Sequence, residues 1–288
     1  MGIAYTDTVM GIVLHTLAAL GYALLALRPW RALAQQGDTT ATVYEKAGLP
    51  LVLILHGAAL FVSMTSPQGL YLGLGLALSS TLWLGMIVFW LESMLADVGL
   101  LRLLLLPLAA LAALMPAILD DRIMVAHAHN PWLKAHLILS LAAYGLMTVA
   151  ALHALLTAAA DNHLHSLKGA QHPADNVGVW QRLIESLPPL LTLEHLLFRL
   201  IGIGFVLLTL AVGSGSAMSI SLTGQWLPFD HKTVFTLLSW VTFGLLLLGR
   251  HLRGWRGRLA VRYTLTGLVL LLLAYAGTRF VMEFLLSR

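Results

Sequence analysis

Histidines embedded in apolar sequence are the first candidates for chemistry. His15 and His56 each stand inside a run of mostly Leu, Ala, Val and Ile, where an ionisable side chain is costly and needs a reason. A neutral imidazole there is a candidate haem or metal ligand. The plainer reading is a hydrogen bond to a neighbouring helix, which stabilises packing by about 0.6 kcal/mol. His136 lies one turn inside another such run, in HNPWLKAHLILSLAAYG, with His127 and His129 just before it. Their spacing is neither HxxxH nor HExxH, so this is no zinc-protease helix. A wet interfacial loop anchored by Trp132 accounts for the same residues. Methionines Met64, Met115 and Met282 have the chemistry of an axial ligand, although gap filling explains them equally.

A second set of polar residues gathers in GQWLPFDHKTVFTLLSW, with Trp226, Asp230, His231 and Lys232. Trp226 suits an interfacial aromatic belt. Asp230 suits a helix N-cap, its carboxylate facing the amide dipole. Gly213-Ser214-Gly215-Ser216 superficially resembles an intramembrane serine-protease turn, but it is read as a helix exit with no base partner. Gly202 and Gly204 suit close helix packing. Glu194 and Arg199 flank a helix start, where snorkelling to the interface is expected. Arg279 and Glu283 stand i,i+4 and can pair within a bundle. No catalytic constellation emerges, so the chain is not read as an enzyme.

These residues sit on elements that composition makes plain. Of 288 residues, 59% are hydrophobic and 10% charged, against about 25% charged in a soluble domain. The runs do not alternate as barrel strands would. The fold class expected is an all-α polytopic membrane bundle, a single transmembrane domain over 1–288. Eight spans of bilayer length are expected at about 8–27, 49–65, 70–91, 100–119, 133–158, 193–212, 233–249 and 262–285, with a polar loop over 159–192. The second and third spans are joined by SPQG and form a hairpin. The break between the third and fourth rests on Glu92, Asp97 and Arg102. Asp7, with no basic residue before the first run, argues against a cleavable signal. The absence of cysteine excludes a disulfide, a thiolate metal site and a covalent haem thioether. No inverted repeat or midplane charge cluster suggests a transporter.

Charge orients the spans. If the turn bearing Arg250, Arg253, Arg256, Arg258 and Arg262 faces the cytosol, both termini lie outside. The cytosolic side then also holds Arg28, Arg31, Lys46, Arg102, Lys168 and Arg182, eleven basic residues against five outside, with Arg199 inside a span. This positive-inside asymmetry explains the net charge of +4 without nucleic acid. At 1.5 Å per residue, His15 lies about 10 Å below the outer face, His136 about 5 Å below it, and His56 about 10 Å above the inner face. Depth favours pairing His136 with His15.

Four stretches resemble one family. FRLIGIGFVLLTLAVGSG, GQWLPFDHKTVFTLLSW, RGWRGRLA and WLKAHLILSLAAYG are similar, in order and spacing, to segments of the cytochrome c assembly (CcsA/CcmC/ResC) superfamily. The second is its tryptophan-rich loop. LPPLLTLEHLLF, HLRGWRGR, LAYAGTRFV and LHGAAL point to its YpjD/HemX-like inner-membrane branch. The resemblance covers roughly 131–280.

It implies a haem-binding or haem-handling protein of the bacterial inner membrane, linked to cytochrome c assembly. His136 matches the family's first outer histidine, and Asp230 and Lys232 match the Asp and Lys of its loop. His56 matches an early-span histidine, so resemblance favours pairing His136 with His56. Phe229 and Phe235 stand where tryptophans are usual, and Leu248 and Leu286 where two further histidines are usual. The implied cofactor is haem b, with His136, His56 and His15 as candidate iron ligands and Trp226, Asp230 and Lys232 as its surroundings. The implied partners are the lipid bilayer, haem and cytochrome c maturation proteins. The alternative is a non-haem membrane partner or regulator on the same scaffold, acting on cytochrome biogenesis or a tetrapyrrole-synthesis enzyme.

Overall fold

Long apolar runs leave the backbone no partner in lipid but itself, so they fold as helices. The computed structural model describes residues 2–35, 41–67, 69–95, 101–119, 123–128, 130–167, 189–226, 228 and 230–280. Asp97, Arg122, His129, Lys168, His172, Arg182, Phe229, Met282, Glu283, Leu286 and the 168–188 part of the polar loop lie outside them. The helices are α1 (Gly2–Ala34), α2 (Val43–Met64), α3 (Leu74–Leu95), α4 (Leu101–Ile118), α5 (Pro131–Leu167), α6 (Leu190–Thr223), α7 (His231–Arg253) and α8 (Arg258–Phe280). Among the described residues, eight helices are long and apolar enough to cross a membrane. The protein is an all-α polytopic membrane bundle. Leu20, Leu24, Ile54 and Phe61, and likewise Val206, Leu210, Val241 and Leu245, are exposed, a surface suited to lipid.

The described helices form two compact units, α1–α4 and α5–α8. In the first, Thr42 and Glu45 cap α2 reciprocally: Glu45 N donates to Thr42 Oγ1 (3.3 Å) and Thr42 N to Glu45 Oε2 (2.8 Å). The same Oε2 meets Arg28 of α1 at 3.2 Å and buried Arg102 of α4 at 3.4 Å. Trp30 Nε1 donates to the Leu103 carbonyl at 2.8 Å, so three helix ends are tied together. Ala18 and Ala113, both fully buried, let α1 and α4 approach closely. The expected hairpin between the second and third spans is an antiparallel pair, β1 (Thr65–Ser66) and β2 (Gly69–Leu72). β2 pairs in turn with β3 (Ile123–Met124), with Tyr71 opposite Met124.

In the second unit each helix runs antiparallel to its sequence neighbour. Gly204 of α6 lies under Met147 of α5, where a Cβ would come within 2.9 Å of Met147 Cε. A Cβ on Gly202 would meet nothing within 4 Å, so only one of the two glycines serves packing. Phe205 of α6 stacks on Trp240 of α7 (centroids 5.5 Å apart), and Ser239 Oγ of α7 donates to the Gly267 carbonyl of α8 at 2.8 Å. Tyr144 closes the unit, its hydroxyl donating across from α5 to the Leu271 carbonyl of α8 at 2.7 Å.

Two helices overrun the apolar runs. α5 has 37 residues and α6 has 34, about 55 and 50 Å at 1.5 Å per residue, well beyond a hydrocarbon core of about 30 Å. The expected exit at Gly213–Ser216 is therefore corrected, because α6 continues to Thr223. Ser214, Ser216, Ser221 and Thr223 each donate back to a carbonyl three or four residues earlier, so they leave no stranded hydroxyl. Gly224, left-handed at φ 70°, ends the helix.

Candidate functional site

His136 sits on the second turn of α5, half-buried against α6. Its Nδ1 lies 3.0 Å from the Ala211 carbonyl oxygen and 3.2 Å from Ser214 Oγ. A carbonyl can only accept, so Nδ1 carries the proton and the neutral ring keeps its lone pair on Nε2. Ser140 Oγ lies 3.4 Å from Nε2, at the long limit of a hydrogen bond. Gly215 makes the seat: a Cβ there would stand 2.9 Å from His136 Cε1. The Gly-Ser stretch is thus the wall that holds this imidazole, on a helix 75 residues away in sequence.

The antiparallel order brings the start of α5, the end of α6 and the start of α7 to one end of the unit. At that end Gly224 follows α6 and Asp230 precedes α7. Asp230 is the N-cap of α7, its Oδ1 accepting from Thr233 N at 2.8 Å, which matches the capping role expected of it. Trp226 is 71% exposed, and Lys232 is exposed on the first turn of α7. His127 is exposed and belongs to the first unit. Among the described residues no group of three His, Cys, Asp or Glu side chains is assembled to hold a metal ion.

His15 and His56 lie together in the first unit. Both are buried, with ring centroids 5.8 Å apart at 77°, a direct edge-to-face contact. His56 Nδ1 is 3.2 Å from Tyr22 Oη, and its Nε2 is 2.8 Å from Ser79 Oγ. Tyr22 also packs edge-on against His56, with centroids 5.6 Å apart.

A haem iron needs a ring nitrogen with a free lone pair and room for a macrocycle. On the first count His136 fits: its Nε2 keeps the lone pair, with the Ser140 hydroxyl 3.4 Å away. Its Nδ1–H is held by a backbone carbonyl, the second contact that metal-bound histidines usually make, and Nε2 is the available nitrogen. His56 does not fit, because both its nitrogens are engaged. Nor does a macrocycle fit between His15 and His56, whose rings touch.

The far end of the second unit holds residues that sequence reasoning misjudged. Glu194, expected to snorkel, is buried, and its Oε1 accepts the Gly257 N–H at 2.9 Å. A charged group fixed in this way anchors the turn between α7 and α8, whose Gly254 and Gly257 are left-handed at φ 66° and 60°. Arg250 lies over the Phe198 ring at 4.5 Å, and Arg258 Nε meets Asp161 Oδ2 at 3.5 Å. His153 was missed as well. It is buried on α5 and donates from Nε2 to the Leu193 carbonyl at 2.8 Å. Its only signal in the sequence was a polar residue within an apolar run.

Comparison with known proteins agrees with this architecture. A family model described as cytochrome C assembly protein matches residues 13–286. A protein of Azospirillum brasilense, described as an uncharacterized 28.8 kDa protein in the nifR3-like 5' region, is 30% identical over 284 residues, 96% of this chain and 98% of that one. Inner membrane protein YpjD of Escherichia coli strain K12 is 33% identical over 154 residues, 54% of this chain and 53% of that one. Cytochrome c biogenesis protein CcsA of Prochlorococcus marinus is 25% identical over 161 residues, 52% of this chain and 51% of that one. The chain thus matches nearly the whole of the first relative and about half the length of the other two.

Proposed function

We propose, from the premise that the chain belongs to the cytochrome c assembly protein family, that it binds haem at His136 and handles it in cytochrome c biogenesis. The observation that carries this reading is the seat of His136: Nδ1–H fixed on the Ala211 carbonyl, Ser214 beside it, and Nε2 left as the lone-pair nitrogen. The names of two relatives, an inner membrane protein and a cytochrome c biogenesis protein, support a place in the bacterial inner membrane and in that process.

Each residue has a role. The Ala211 carbonyl makes the His136 ring a better donor ligand and fixes its plane. Gly215 keeps the wall flat. Trp226 offers an exposed aromatic face for stacking, and Lys232 offers a cation suited to a propionate. Asp230 holds the start of α7 in place and is not itself a ligand. Haem b, when bound, supplies an iron centre that can change oxidation state. The protein's part is binding and presentation, and the chain acts as a carrier rather than an enzyme. Cytochrome c maturation proteins are the partners this role calls for. The positive-inside bias supports a cytosolic Arg250–Arg262 turn and an outer Trp226–Asp230 loop.

A second reading keeps the scaffold without haem, as a membrane partner or regulator of cytochrome or tetrapyrrole biogenesis. It is motivated by Leu248 and Leu286, which stand where two of the family's histidines are usual, and by the long polar stretch over 159–192. An absorption spectrum of the detergent-purified protein during haem titration separates the two. A Soret band of about one haem per chain, lost or shifted in His136→Ala, is expected. Failure of the wild type to take up haem at any ratio would overturn the haem reading in favour of the second.

A further inference from the structure

We infer that Tyr22, His56 and Ser79 form a polar bolt joining α1, α2 and α3, and that His56 is therefore not an axial ligand. This stands apart from the reading of His136 and does not depend on it.

All three side chains are essentially unexposed, and one imidazole serves both hydroxyls, Tyr22 at 3.2 Å and Ser79 at 2.8 Å. A neutral ring has one N–H and one lone pair, and a hydroxyl can donate or accept. The set therefore closes with one hydroxyl donating to the ring and the other accepting from it, in either tautomer. Within lipid, helices gain little from apolar contact alone, because lipid tails are as apolar as leucine. A buried hydrogen-bonded centre supplies the register that apolar packing leaves loose.

Ligation would undo this. Freeing either nitrogen strands the Tyr22 or the Ser79 hydroxyl in a core with no water to satisfy it. The space around the ring is also taken. His15 lies against one side of it. The next residue, Gly57, sits so close under Trp83 that a Cβ would fall 2.7 Å from the indole. Trp83 is itself pinned by a 2.8 Å bond from its Nε1 to the Leu53 carbonyl.

The test uses the full chain in detergent, with Tyr22→Phe, Ser79→Ala, His56→Leu and His56→Gln, singly and in pairs. The readouts are the melting midpoint and the spectrum of haem-titrated protein, with His136→Ala as control. Tyr22→Phe should lower the midpoint by a few degrees in the wild type and by much less once His56→Leu is present. Haem uptake should be unchanged in every folded variant. If His56→Leu does not fold, His56→Gln paired with Tyr22→Phe supplies the same cycle. Additive midpoint shifts would overturn the bolt. So would a folded His56 variant that loses a haem signal which Tyr22→Phe and Ser79→Ala retain. If the wild type takes up no haem, the reading of His136 fails and the midpoint cycle alone decides the bolt.

Discussion

At the scale of single residues, two histidine environments divide the chemistry. His136 has one nitrogen anchored and one available, whereas His56 has both spent. Removing the Ser214 hydroxyl leaves the carbonyl of Ala211 to hold the ring alone. Loss of an outer-shell partner typically costs 10–100-fold in metal affinity, so Ser214→Ala should weaken haem uptake about tenfold while leaving the helices intact. Gly215→Val should act more strongly, because its branched side chain would occupy the position of the imidazole edge. Haem titration alongside circular dichroism checks both variants, and a helical Gly215→Val protein with wild-type uptake would contradict the seat. His136 was readable as a candidate because an imidazole in apolar sequence needs a reason. Its seat was not, since Ala211, Ser214 and Gly215 reach it only through helix pairing at long range. The partners of His56 were hidden for the same reason: Tyr22 and Ser79 look like ordinary residues within their own helices.

At the scale of elements, the apolar runs located each of the eight described membrane-length helices but not its ends. Hydropathy marks where lipid is, whereas a helix stops where its backbone finds another partner. α6 passes through Gly213–Ser216 because its hydroxyls bond back to their own helix, and it stops at Gly224, where the backbone turns left-handed. The basic turn shows the opposite error. Its arginines were legible as a topological signal, but its architecture depends on Glu194, which looked like a snorkelling residue. A hydrogen bond to a charged group contributes about 1.5–3 kcal/mol. Glu194→Ala should therefore destabilise the turn by about 2 kcal/mol, read as a lower melting midpoint and faster proteolysis between Arg253 and Arg258. Gly249→Ala should be harmful by another route, because a methyl group there would overlap the Trp255 ring. Asp230→Ala should cost about 1 kcal/mol as the loss of an N-cap, without preventing haem uptake.

At the scale of the whole molecule, composition alone was enough for the class, since so apolar a chain cannot bury its side chains in a soluble core. What composition could not give was the division of the described helices into two units, because each apolar run looks like any other until its contacts are known. The chain is naturally free of cysteine, so single cysteines report sidedness without further engineering. Arg256→Cys should react with an impermeant maleimide only from the cytosol, and Trp226→Cys only from outside. α7 between them has 23 residues, about 35 Å at 1.5 Å per residue, enough to separate the two positions by a bilayer. Labelling of both from one side would show that α7 does not cross the bilayer, and the opposite pattern would reverse the topology.

The bare Cα of Gly215 also has a bearing on ancestry. A side chain there would stand within 2.9 Å of the ring and push it aside, so positions 136 and 215 are expected to change together. A descendant could exchange its histidine and then acquire a larger residue on the facing helix. The reverse order would expel the imidazole before anything replaced it. Among diverging copies of this gene, histidine opposite glycine would mark lineages that still have a use for the imidazole. A bulky residue opposite a lost histidine would mark those that have abandoned it.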